Sequence, residues 1–185
     1  MLHPFPFPSP LSARPAARCL GAAGVFFLAL CLGAPNGRAA EGQGCSGGAW
    51  PLERAKSALD AAHTQLASGS QLPAADGAFV VELVPLAQAK LPYPPARLPA
   101  ENTTFAGFLL IPAPAAGRIE VSLSQAGWID LVQDGKTLPA AAFTGVKGCE
   151  GLRKSVRFEV AQRPLVLLLT GVSVDRLKLA VAPVP

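Results

Sequence analysis

Along residues 79–181, apolar and polar residues alternate in short runs separated by Gly, Pro and Asp, the pattern of strands rather than helices. Seven runs stand out, at 79–84, 105–111, 118–124, 128–133, 155–160, 165–170 and 176–181. Three of them alternate cleanly. Ile119, Val121 and Leu123 oppose Arg118, Glu120, Ser122 and Ser124; Val156, Phe158 and Val160 oppose Ser155, Arg157 and Glu159; Leu177, Leu179 and Val181 flank Lys178 and Ala180. One dry face and one wet face per strand favour an antiparallel sheet. The run 165–169 is apolar throughout and reads as a central strand buried on both sides. Asp134-Gly135 predicts a two-residue hairpin, because both central positions of a type I′ turn take positive φ. No helix-length segment recurs between the strands, which argues against parallel βαβ folds. The predicted fold is therefore an antiparallel β-sandwich or jelly roll, spanning residues 74–185, with one leading helix.

That helix is read over residues 51–69. Leu52, Ala55, Leu59, Ala62 and Leu66 recur at three-and-four spacing, Pro51 suits a first helical position, Glu53 complements the helix dipole, Lys56 and Asp60 can pair, and Gly69 offers a stop. His63 sits on its flank, where a lone histidine reads as a solvated or packed residue. Residues 40–50 form a Gly-rich lead-in. Before them, residues 20–32 are an uncharged apolar run preceded by Arg14 and Arg18, the layout of a secretory signal. Thirteen residues rise about 20 Å as a helix against the roughly 30 Å hydrocarbon core, too short for a permanent span. Cleavage after Ala39, with Gly37 and Ala39 as the small residues, defines a signal of residues 1–39 and an exported, periplasmic or secreted, mature chain with no membrane span.

Cleavage changes the charge. The whole chain of 185 residues carries 16 Lys+Arg against 12 Asp+Glu, net +4. Loss of Arg14, Arg18 and Arg38 with the signal leaves 13 against 12, net +1. With aromatic residues at 6%, nucleic acid is then a poor partner. Cys19 and Cys31 leave as well, so Cys45 and Cys149 remain; in an oxidising compartment they most simply form one disulfide, with two free thiols or an intermolecular bridge as the alternatives.

Catalytic constellations fail by elimination. His63 is the one mature histidine, no G-x-S-x-G elbow presents a serine, and there is no Walker loop. Asp130 and Asp134 are too easily paired by chance among 12 acidic residues to mark a glycosidase. No catalytic residue, metal ligand or cofactor is assigned. A binding surface remains. Trp128 and Asp130 share a face of their strand while Ile129 and Leu131 take the other, so Trp128 is either an outward recognition residue or a plug in the core or under the helix. Arg153, Lys154 and Arg157 form a basic cluster that would hold an acidic ligand or pair with Glu120 or Asp130 across the sheet. The Pro-rich stretch 91–99 reads as a stiff extended connection, with a peptide-motif role as the alternative, and Asn102-Thr103-Thr104 matches an N-glycosylation pattern.

The segments GWIDLVQDGK (127–136), LRKSVRFEV (152–160) and LVLLLTG (165–171), with Cys149 between the first two, resemble a group of small exported proteobacterial proteins. These are similar in strand pattern to the pre-peptidase C-terminal domains that accompany secreted enzymes. The resemblance covers about residues 74–181 and implies a non-catalytic accessory or binding domain of the cell envelope, with an unknown protein or glycan partner. Some of these lookalikes carry the label homogentisate 1,2-dioxygenase. A metal-dependent oxidoreductase of that type needs His and Glu ligands around iron, and His63 alone cannot supply them. A structural envelope component acting through protein contact is the third alternative.

Overall fold

The computed structural model describes residues 41–99 and 104–184, with side chains from residue 44. The signal segment with its cleavage point, Cys19, Cys31 and the Asn102 glycosylation pattern lie outside the described residues.

Among the described residues, twelve strands and one α-helix follow in chain order: β1 (Glu41–Gln43), α1 (Glu53–Ala61), β2 (Gln65–Ala67), β3 (Gly77–Glu82), β4 (Val84–Pro85), β5 (Phe105–Ile111) and β6 (Gly117–Leu123). The second half holds β7 (Trp128–Gln133), β8 (Lys136–Thr137), β9 (Ala142–Lys147), β10 (Lys154–Val160), β11 (Leu165–Val172) and β12 (Arg176–Val184). They form two sheets, one ordered β1-β9-β10-β6-β12-β3-β2 and the other β4-β5-β11-β7-β8. The expected β-sandwich is observed, and all seven expected strands are present. Asp134 (φ 51°) and Gly135 (φ 74°) make the left-handed turn between β7 and β8.

Alternation places the main core between the sheets. Phe79, Val81, Val121, Leu123, Val156, Phe158, Leu177 and Leu179 from the larger sheet meet Leu109, Ile129, Leu131, Leu167 and Leu169 from the smaller one. Burial of such side chains, at about 25 cal/mol per Å² of apolar surface, is what holds the two layers together. On β11 the outward Leu168 and Thr170 are also fully buried, as expected for a strand covered on both sides. The Pro-rich stretch 91–99 runs as an extended strap along the outer face of the smaller sheet. Tyr93 stands beside Leu110, Val132 and Val166, and the Ala96 amide donates to Asp130 Oδ2 at 3.0 Å. At the far end of β7, buried Gln133 exchanges hydrogen bonds with the backbone of Ala161 (3.0 Å each way) and donates to the Arg163 carbonyl at 3.1 Å, fixing the β10–β11 turn.

A second, smaller core lies on the outer face of the larger sheet, where Leu52 and Leu59 pack with Val146, Cys149, Leu152 and Ala180. Helix α1 thus covers that face, and Lys56 pairs with Asp60 as anticipated. Two expectations for this region need correction. The helix spans Glu53–Ala61, not residues 51–69: Ala62 turns extended (ψ 121°), and Gln65–Ala67 pairs in parallel with β3 instead. Leu66 continues the helical spacing by coincidence. Its side chain packs against the main core, and its strand supplies partners to the backbone edge of β3, which a longer helix would leave open. Likewise the lead-in 40–50 is not merely a linker, because β1 pairs in parallel with β9. The Cys45–Cys149 disulfide follows directly, with Cα atoms 4.7 Å apart across a sequence separation of 104. Among the described residues, no helix is long and apolar enough to cross a membrane.

Candidate functional site

Strand β8 accompanies only the end of β7, pairing with Val132 and Gln133. The start of β7 therefore forms a sheet edge facing β9 and β10 of the other sheet. A cavity of about 590 Å³ opens there, lined by Trp128, Ile129, Phe143, Arg153, Lys154 and Val156 among others. Its size is that of a small-molecule site.

Trp128 stands at the mouth, 40% exposed, which answers the two readings of this residue in favour of an outward side chain. Its position depends on strand parity, since Ile129 and Leu131 fill the core, and on Gly171 opposite. Gly171 takes φ 66° beside an irregularity in the β5–β11 register, and a Cβ there would lie 3.2 Å from Trp128 Cδ1. Two cations from different elements bear on the indole. Arg97 of the strap lies 4.7 Å from the ring centroid and Lys154 of β10 lies 4.5 Å from it, cation–π distances in both cases. Lys154 also donates to the Gly127 carbonyl at 2.9 Å. Burial lowers its pKa below the ordinary lysine value, opposed by the nearby Asp130 carboxylate. Arg153 donates to the Val146 carbonyl at 2.8 Å, and Phe143, 44% exposed, adds an aromatic surface.

Four of the five residues singled out from the sequence thus meet at one place: Trp128, Asp130, Arg153 and Lys154. Arg157 does not join them. Three positions separate it from Lys154, and alternation within β10 sends those two side chains to opposite faces, whereas Arg153 precedes the strand and borders the groove from its end. Arg157 lies on the helix side, where it pairs with Glu120 at 2.8 Å and stacks 4.1 Å from the Trp50 ring centroid. The basic cluster was a cluster in sequence only, although its pairing with Glu120 is the cross-sheet contact anticipated for it. Arg97 and Phe143 were missed: the first is carried by an irregular strap, the second by a strand whose Thr144 and Gly145 obscure the alternation.

The arrangement presents charge and apolar surface but no acid–base pair aligned on a nucleophile. Iron of the dioxygenase type finds no fitting donors among the described residues. His63 is exposed with Nδ1 2.9 Å from the Ala61 carbonyl, and no three His, Cys, Asp or Glu side chains gather closely enough to hold a metal. No protein-family model, no curated protein and no solved structure matches the chain.

Proposed function

We propose that this chain is an exported, non-catalytic binding module of the cell envelope whose recognition site is the Trp128 groove. The observation that carries the reading is the exposed indole at the mouth of a 590 Å³ cavity, held by Arg97 and Lys154 and bordered by Phe143. Exposed aromatic residues next to hydrogen-bonding charge are the usual anchors of recognition surfaces. Export is supported by the basic and apolar pattern of residues 14–32 and by the Cys45–Cys149 bridge, a bond that persists in oxidising compartments. The resemblance to small exported accessory domains points the same way. Among partners, a glycan stacked on Trp128 is the weaker choice, because Arg97 and Lys154 already compete for the π-face that a sugar would need.

The test is a screen of the purified protein against a library of small fragments, neutral and charged, by amide chemical-shift mapping. Hits are expected to cluster on residues 126–130, 143–145 and 153–156, and Trp128→Ala is expected to weaken them at least tenfold with the fold intact. Hits spread evenly over the surface, or none in the groove, would remove the basis of this reading.

A further inference from the structure

The arginines around the groove differ from four arginines of the other sheet surfaces. On the sheet surfaces, Arg118, Arg157, Arg163 and Arg176 are each paired with a carboxylate, of Glu159, Glu120, Asp134 and Glu82 respectively. Around the groove, Arg97 and Arg153 have no such partner among the described residues: Arg97 rests on Trp128 and Arg153 on a backbone carbonyl. Lys154 is partly buried beside them, and Asp130, the one carboxylate of the groove among the described residues, already accepts the Ala96 amide. Arg97 and Lys154 therefore meet on the indole with Arg153 in the same lining, against one committed anion among the described residues. Bringing a lysine out of water without a full ion pair carries a desolvation cost that a bound anion would offset. The remaining lining, Ile129, Phe143 and Val156, is apolar.

We propose that the groove binds a free amphipathic carboxylate, its charged head held by Arg97, Arg153 and Lys154 and its hydrocarbon or aromatic body lying along Phe143 and Ile129. The proposal rests on the binding-module reading and names the ligand class for that same site. Arg and Lys heads donate and cannot accept hydrogen bonds, so an anionic head gains ion pairing as well as charge-assisted donors, a neutral hydroxyl gains single hydrogen bonds without the ion pair, and a cationic head gains none. A cavity of about 590 Å³ admits a body of roughly a dozen heavy atoms.

Three probes with one body and different heads separate the possibilities: 4-phenylbutyrate, 4-phenylbutan-1-ol and 4-phenylbutylamine, titrated into the purified protein by calorimetry and amide chemical shifts. Phenylbutyrate is expected to bind in the groove at least tenfold more tightly than the alcohol, with the amine weakest. Arg97→Gln, at an exposed position on the strap, and Lys154→Gln are each expected to weaken it on the order of tenfold. Arg163→Gln, at the distant hairpin, is expected to leave it unchanged. Alcohol and acid bound equally well in the groove would overturn the anion proposal and leave the binding-module reading standing. If none of the three probes, nor any library fragment, perturbs the groove, both fall. A fourth arm uses vesicles of phosphatidylglycerol and phosphatidylcholine. Retention on the anionic vesicles alone, with no binding of free phenylbutyrate, would assign the cations to a membrane surface and overturn the proposal.

Discussion

Lys154 joins the electrostatics of the groove to pH. Its ammonium faces Asp130 and Trp128 of β7, Arg97 of the strap and Arg153 beside it, and burial outweighs the attraction of Asp130, so its pKa falls below 10.5. For a base with a lowered folded pKa, the folded state disfavours the charged form. The penalty is fully present below the folded pKa and is relieved as pH rises through it towards the unfolded value. Two consequences have opposite signs. Relative to Lys154→Gln, the native protein gains stability as pH rises through the alkaline range below 10.5. Over the same range its affinity for phenylbutyrate falls, because the positive head that attracts the carboxylate is lost. Calorimetric titrations from neutral pH to pH 10 check the second statement, with Lys154→Gln as the reference that lacks this step; parallel pH profiles for the two proteins would contradict it.

At the scale of elements, two left-handed glycines separate backbone strain from packing. Gly135 in the β7–β8 turn has φ 74° and open space where a Cβ would stand, so Gly135→Ala is expected to cost only the left-handed strain, about 1 to 2 kcal/mol. Gly171 has a similar φ of 66°, but its Cβ would meet Trp128 Cδ1 at 3.2 Å and Pro99 Cγ at 3.4 Å. Gly171→Ala is therefore expected to destabilise more and to shift the Trp128 indole resonance, which Gly135→Ala leaves in place. Denaturant midpoints and indole chemical shifts measure both, and equal midpoints with an unmoved indole would refute the role of Gly171 as the seat of Trp128. The Asp134-Gly135 turn was legible in the sequence because the requirement for positive φ is local. The seven alternating strands were legible for the same reason, since burial of one face writes a period of two into the chain. Elements that exist to complete an edge left weaker marks. Gln65–Ala67 is defined by the backbone groups of β3, and Ala142–Lys147 by β10 on one side and the parallel β1 on the other, so Leu66 passed for a helical residue and Phe143 was not assigned to any strand. The groove was half legible. Trp128, Asp130, Arg153 and Lys154 could be named, but Arg97 reaches the indole only because the strap crosses the sheet, and Arg157 leaves the group only once parity is applied to β10.

For the whole molecule, the larger sheet is finished by its N-terminal segment, and the disulfide decides how firmly. β1, Cys45, Trp50 and α1 all lie on or beside the outer face of that sheet, over a second core far smaller than the one between the sheets. Closing a loop of this length, with a separation of 104 residues, restricts the unfolded chain by about 4.7 kcal/mol in the chain-entropy treatment, and measured losses on removing such bridges run from about 2 to 5 kcal/mol. The native sandwich does not need the bridge for its main core, whose residues come from β3 onwards with Leu72 and, partly buried, Leu66 and Ala75. Cys45→Ser/Cys149→Ser is therefore expected to lower stability by about 2 to 5 kcal/mol and to loosen the N-terminal cover before the sandwich unfolds. The chain has two tryptophans, so Trp128→Phe leaves Trp50 as the only indole, stacked on Arg157 at the edge of α1. In that background, the serine pair is expected to give a red shift of Trp50 emission at denaturant concentrations below the loss of far-ultraviolet β-sheet signal. The disulfide-bonded protein is expected to show the two changes together. Coincident transitions in both proteins, with equal midpoints, would mean that β1 and α1 are held by packing alone and that the Cys45–Cys149 bridge adds nothing to the fold.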